Sequence, residues 1–233
     1  SPPATLLADI AAADLASLRA FLSGRRTRGS LNARLDTEKQ DTLLTWAARH
    51  GQAEAVRLLL EAGASVGATT GGGGGSSGGA SALLIACQNG HLEVARLLLE
   101  AGAAVNQANA RGATPLLVAC QEGRVEIARL LLEVNAAVDQ ARDDGVTPLL
   151  MACQEGHAEI IQLLLEAGAA IDQADAEGVT PLSAASQEGK IDCVRLMIAA
   201  GAAVNQADSD GFTPLYAACQ EGHLECARLL LEA

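Results

Sequence analysis

Histidine, cysteine and carboxylate side chains ligate metals, attack carbonyls and move protons, and this chain carries 4 His, 6 Cys and 28 Asp/Glu in 233 residues. Their spacing argues against all three chemistries. His91, His157 and His223 each follow a Gly, and at the same spacing other segments have Arg124 and Lys190, which cannot ligate zinc in that role. Cys87, Cys120, Cys153 and Cys219 share one recurring position where Ser186 also stands; Cys193 and Cys226 share another with Val94, Ile127 and Ile160. There is no His-Glu-x-x-His and no Cys-x-x-Cys. The acidic residues are spread along the chain, whereas catalysis needs groups that converge within hydrogen-bond reach. No catalytic, metal or cofactor role is expected, and the cysteines read as small core residues.

The elements that carry these residues recur with one period. Thr114-Pro115-Leu116, Thr147-Pro148-Leu149, Thr180-Pro181-Leu182 and Thr213-Pro214-Leu215 are spaced by 33 residues. A fixed period of this length indicates a stacked array in which stability is a sum of neighbour contacts. Hydrophobic residues make up 49% of the chain and aromatics only 2%, so the core is built from Ala, Leu, Val and Ile. Equivalent cysteines in stacked units stand about 8–10 Å apart, the helix packing distance. That exceeds the roughly 7 Å Cα limit for a disulfide.

The copy beginning near Asn109 serves as a template. Asn109 to Thr114 is rich in turn formers, with Gly112 where a tight turn needs positive φ. Thr114 caps a helix that Pro115 opens, since the missing N–H of Pro costs nothing at the first position. This helix runs to about Gln121 and ends at Gly123. A second runs from about Val125 to Glu133 with Ile127, Leu130 and Leu131 at helical spacing. At its exit Gly63, Gly102, Gly168 and Gly201 share a position with Asn135, the residue type after Gly that best tolerates left-handed backbone.

These features resemble the ankyrin repeat. Gly211-Phe212-Thr213-Pro214-Leu215, Gly90-His91-Leu92-Glu93 and Gly102-Ala103-Ala104-Val105-Asn106 match the family pattern. The resemblance implies an all-α solenoid of stacked helix-turn-helix units with β-hairpin-like turn tips. It covers residues 41–233 as about six repeats, the last truncated, after an N-terminal helical cap or degenerate repeat over residues 1–40. In that cap Leu15, Leu18, Phe21 and Leu22 form the helical stripe, and Arg19 corresponds to Arg57 and Arg96.

The departures from the pattern carry their own expectations. The His that follows Thr-Pro-Leu in the family is replaced by Leu117, Leu150, Ser183 and Tyr216, which removes its hydrogen bonds between repeats. The early copies read Thr42-Leu43 and Ser81-Ala82 without Pro, predicting a weaker lock at that end. Thr42 and Ser81 lie 39 residues apart, so six residues are inserted, within a Gly-rich stretch near 69–80. Mobility is expected from Gly71 to Gly79. A phosphate loop there would need Gly-Lys-Ser/Thr and a preceding strand, and neither is present. The chain starts at Ser1 and stops within a unit, which reads as a piece of a longer polypeptide whose last helix pair exposes a Leu-rich face.

The formal net charge is −12, and it is uneven: residues 1–61 hold 8 Lys/Arg against 7 Asp/Glu, residues 62–233 hold 8 against 21. Such a surface disfavours nucleic acid and anionic membrane and favours a basic partner. With no membrane-length apolar run or signal peptide, a cytoplasmic or nuclear setting is expected. The resemblance implies that partners are held by the turn tips and the exposed side of the first helix, making the domain a non-catalytic protein-binding module. Carried over by position, these are Gln121/Glu122, Gln154/Glu155, Gln187/Glu188 and Gln220/Glu221 on the helices. At the tips they are Arg111, Asp143, Asp144, Glu177 and Asp210, with Phe212 and Tyr216 as apolar contacts. The expected ligand is another protein or peptide, an extended Lys/Arg-bearing segment above all, held by charge-assisted hydrogen bonds. Three alternatives stay open: a solvated face that binds nothing in particular, a structural spacer, and self-association through the last, uncapped helix pair. Trp46 stands where Ile85, Val118 and Met151 stand, so burial is expected there.

Overall fold

Short Ala- and Leu-rich segments, the first of each pair from Thr42 onward started by a Thr or Ser and each pair punctuated by Gly, leave little room for anything but helix. A computed structural model of the chain describes residues 4–12, 14–24, 31–35, 40–71 and 78–233. Among the described residues there are fourteen helices and no strand. One isolated antiparallel bridge joins Thr69 and Ser81. The chain divides into two units, residues 1–115 and 116–233.

The first unit holds α1 (Ala4–Ala11), α2 (Ala16–Ser23), α3 (Leu43–Arg49), α4 (Ala53–Glu61), α5 (Ala82–Asn89) and α6 (Leu92–Glu100). The stripe of α2 buries Leu18 and Phe21, and α1, which sequence reasoning did not anticipate, packs against it with Leu6 and Ile10 fully buried. Trp46 is half-buried; its indole N–H donates to the Leu7 carbonyl at 3.1 Å, tying α3 to α1. The copies without Pro keep their capping bonds. Thr42 forms a capping box with Thr45, and the Ser81 hydroxyl accepts from Leu84 N–H at 3.2 Å. The ends of the Gly-rich insertion are pinned by Thr70 N–H to Ala80 C=O at 2.9 Å and Ala110 N–H to Gly78 C=O at 2.9 Å. Of the span expected to be mobile, residues 72–77 lie outside the described residues.

Helix α7 (Pro115–Gln121) opens the second unit, followed by α8 (Val125–Glu133), α9 (Pro148–Glu155), α10 (Ala158–Glu166), α11 (Pro181–Gln187), α12 (Ile191–Ala199), α13 (Pro214–Gln220) and α14 (Leu224–Glu232). First helices stack as α9, α11, α13, and second helices as α8, α10, α12, α14. The template boundaries agree with α7 and α8 as observed. Thr147, Thr180 and Thr213 cap their helices by accepting from the main-chain N–H three residues on, at 3.1–3.3 Å. Asn135 adopts φ 60°, matching the left-handed Gly63, Gly102, Gly168 and Gly201.

Neighbouring repeats are joined by bonds the motif comparison missed. The Asp139 carboxylate accepts from Ala170 N–H at 3.0 Å, and Asp172 from Ala203 N–H at 2.9 Å. His157 Nε2–H donates to the Gln121 carbonyl at 3.2 Å, as His91 does to Arg49 at 3.0 Å. Each ring lies over a Gly of the preceding repeat: an added Cβ would stand 2.6 Å from the ring at Gly51, under His91, and at Gly123, under His157. His91 and His157 therefore serve packing between repeats.

All six cysteines are free, and five are buried. Burial pushes the Cys87, Cys120 and Cys153 thiols well up and Cys193 up to about 11. Cys219 departs from the expected core role and is exposed. Its equivalents Cys120, Cys153 and Ser186 are buried in the stack.

Candidate functional site

Three of the four first helices of the second unit, α7, α9 and α11, are buried along nearly their whole length, and this decides where a charge can sit. Residues 148–153 of α9 and 181–186 of α11 are buried between neighbours. In α7, α9 and α11 only the C-terminal end reaches solvent; across the four copies Gln154 and Glu122 are half-buried and Gln121, Glu155, Gln187, Glu188, Gln220 and Glu221 are exposed. Carboxylates at these positions avoid desolvation. Long intra-pair bonds from Gln121 to Glu122 at 3.4 Å and Gln220 to Glu221 at 3.3 Å orient two of the four carboxylates. All eight side chains belong to one unit and recur at one place in its repeat.

The tips are built on side-chain turns. Asp175 Oδ1 accepts from Glu177 and Val179 N–H, and Asp208 Oδ1 from Asp210 and Phe212 N–H, at 2.9–3.1 Å. Asn109 does the same for Arg111 and Ala113 in the first unit, where Arg111 is exposed. Arg142 occupies this place in the intervening tip and cannot accept. Instead it binds Asp144 bidentately, Nε to Oδ1 at 2.8 Å and Nη2 to Oδ2 at 2.6 Å, while Asp144 Oδ1 takes over the bond from Val146 N–H at 3.3 Å. The hydrogen bond from Arg142 holds the Asp144 carboxyl below the usual carboxylate range. Asp144 thus already has a cation, a pairing that the Arg at an Asn/Asp position could have signalled. Asp143, Glu177 and Asp210 are exposed.

Successive tips are stitched by main chain. Ala176 N–H donates to Asp144 C=O at 3.0 Å and Ser209 N–H to Glu177 C=O at 2.9 Å. The approach is close enough that a Cβ on Gly145 would lie 2.7 Å from Ala176 N, and one on Gly178 2.9 Å from Ser209 N. The acidic tips are consequently held in fixed register.

Phe212 and Tyr216, expected as apolar contacts for a partner, lie against each other. Their rings stack with centroids 4.3 Å apart and an 8° interplanar angle. The positions equivalent to Tyr216 are Leu117, Leu150 and Ser183, all buried; those equivalent to Phe212 include buried Ala113 and Val146. The two rings therefore stand on the surface that other repeats use for stacking. The repeat register already contained this signal.

Among the described residues, no group of three or more His, Cys, Asp or Glu is arranged to hold a metal ion. No helix among them is long and apolar enough to cross a membrane. An open groove of about 290 Å³ lies between the loops at Gly189–Ile191 and Gly222–Cys226, with His223 and Glu225 its only titratable carboxylate or imidazole groups.

A family model described as ankyrin repeats (3 copies) matches residues 10–109, 83–175 and 167–233. No curated protein gives a significant match to the chain.

Proposed function

Because the chain belongs to the ankyrin-repeat family, whose repeats are generally protein–protein interaction modules, we propose that it is a non-catalytic binding domain whose second unit captures an extended basic segment of another protein. The carrying observation is that four Gln-Glu pairs recur at the C-terminal ends of the first helices, where six of the eight side chains are exposed and two are half-buried. The stitched tips add Asp143, Glu177 and Asp210 in fixed register. Arg142 lowers the weight of Asp144 in this surface.

Lys/Arg side chains on an extended peptide meet these carboxylates through charge-assisted hydrogen bonds. Exposed single pairs contribute about 0–1 kcal/mol each, so specificity comes from repetition. Repeats occupy residues 41–233 in this reading, with residues 1–40 as the cap. Six unpaired thiols suit a reducing compartment, the cytoplasm or nucleus. The test is capture of Lys/Arg-bearing peptides at low and moderate salt, with Glu122, Glu155, Glu188 and Glu221 changed to Lys. Loss of capture supports the reading, and unchanged capture removes it.

A further inference from the structure

The Gln-Glu pairs are held at a fixed pitch. Helices α9, α11 and α13 pack directly on one another. The loops leaving the second helices are tied by Asp139 to Ala170 N–H at 3.0 Å and Asp172 to Ala203 N–H at 2.9 Å, and the Gln121 carbonyl accepts from His157 of the following repeat at 3.2 Å. Packed helices stand about 8–10 Å apart, so one pair recurs at about that interval. Each pair offers two kinds of group: the Glu carboxylate only accepts, whereas the Gln amide both donates and accepts. Gln121 and Gln220 turn one N–H toward Glu122 and Glu221, at 3.4 and 3.3 Å. Both Gln side chains are exposed, which leaves their second N–H and their carbonyl to a ligand.

We infer that the segment captured here is a polyproline II strand with Lys or Arg at every third residue, its main chain read by the Gln amides; this rests on the peptide-binding reading above and specifies its ligand. A polyproline II chain has three residues per turn and rises about 3.1 Å per residue, so every third side chain returns to one face about 9 Å on, within the pitch of the pairs. A β-strand returns side chains to one face at about 6.6–6.8 Å, or about 13 Å when every other one is used, and misses that pitch both ways. An α-helix with Lys at every seventh residue comes closer, at about 10.5 Å, but its peptide groups bond one another and leave the Gln amides nothing to meet. Those of polyproline II have no internal partners. Each cation then meets one carboxylate per repeat through a charge-assisted hydrogen bond. Exposed pairs contribute little singly, so only a spacing that engages several together binds well.

The probes are three synthetic peptides of equal length and equal Lys content, all rich in Pro so that each keeps the polyproline II form. Lys stands at every second residue in one, every third in another and every fourth in the last. Calorimetric titration of the full chain at low salt should show the every-third peptide binding about tenfold or more tighter than either of the others. Gln187→Ala with Gln220→Ala, both at exposed side chains, should weaken that peptide about threefold or more while its salt dependence and the melting temperature stay as in wild type. Equal binding of all three peptides that is lost when Glu122, Glu155, Glu188 and Glu221 are changed to Lys overturns the inferred spacing and leaves the peptide-binding reading standing. Equal binding that survives those changes, or binding of none of the three, removes both. Undiminished affinity in the Gln variant overturns the main-chain contact, on which the choice against an α-helix rests.

Discussion

The Arg142 guanidinium holds the Asp144 carboxylate through three contacts of 2.6–3.0 Å in the tip where the side-chain turn of Asp175 and Asp208 is missing. The ion pair thus stands in for a hydrogen-bonded turn. It also removes one carboxylate from an acidic surface.

That pair makes stability depend on pH with a defined sign. Asp144 has a folded pKa held below its unfolded value by Arg142, so its contribution is complete above the unfolded carboxylate range and is lost as pH falls through the folded value. The pair is partly exposed, which limits the contribution to less than about 1 kcal/mol. Arg142→Gln should lower the urea midpoint slightly at pH 7, and the difference from wild type should vanish near pH 2. A difference that persists at low pH contradicts this account.

Gly178 and Gly211 form a controlled comparison, with φ of 85° and 86°. Alanine at either suffers left-handed strain of about 1–2 kcal/mol. Only at Gly178 does the Cβ also meet the Ser209 backbone nitrogen, 2.9 Å away, whereas nothing lies within 4 Å at Gly211. Gly178→Ala should be the more destabilising by about 1–3 kcal/mol, the usual cost of overpacking. Chemical denaturation of the two variants decides it, and equal losses would remove the steric argument.

Asn135, at φ 60°, is exposed, so substitution there reads backbone strain with little packing change. Asn135→Ala should cost about 1 kcal/mol, while Asn135→Gly should be close to neutral. Thermal melts of the pair report the difference directly; the reverse order would place the constraint elsewhere.

The thiols should separate into two classes. Five are buried and Cys219 is exposed, so the native protein should react rapidly at one thiol per chain and at all six after unfolding. Rapid reaction of a second native thiol would show that the stack opens locally around Cys193 or Cys226.

The 33-residue register made most of this fold legible because each copy constrains the others. Asn135 standing among glycines revealed a left-handed residue, and Ser186 among cysteines revealed a core position. Bonds that cross between repeats were harder to read. The partners of His157 and Asp172 lie 36 and 31 residues away, and no local pattern names them. The aromatic pair shows where the register was underused. Tyr216 aligns with Leu117, Leu150 and Ser183, so its stacking-face position was readable even though its exposure depends on what covers α13. The Gln-Glu pairs stand at the ends of the first helices, six of the eight side chains exposed, after residues that in α7, α9 and α11 are small or apolar. Whether they select a ligand is a matter of energetics that repetition alone does not encode.

Binding of a Lys/Arg-bearing extended peptide to the full chain, against the chain with Glu122, Glu155, Glu188 and Glu221 all changed to Lys, tests the central claim most directly. Wild type should bind at low salt and weaken at moderate salt, and the Lys variant should lose binding at both while retaining its melting temperature. Equal affinity of the two proteins would contradict the account.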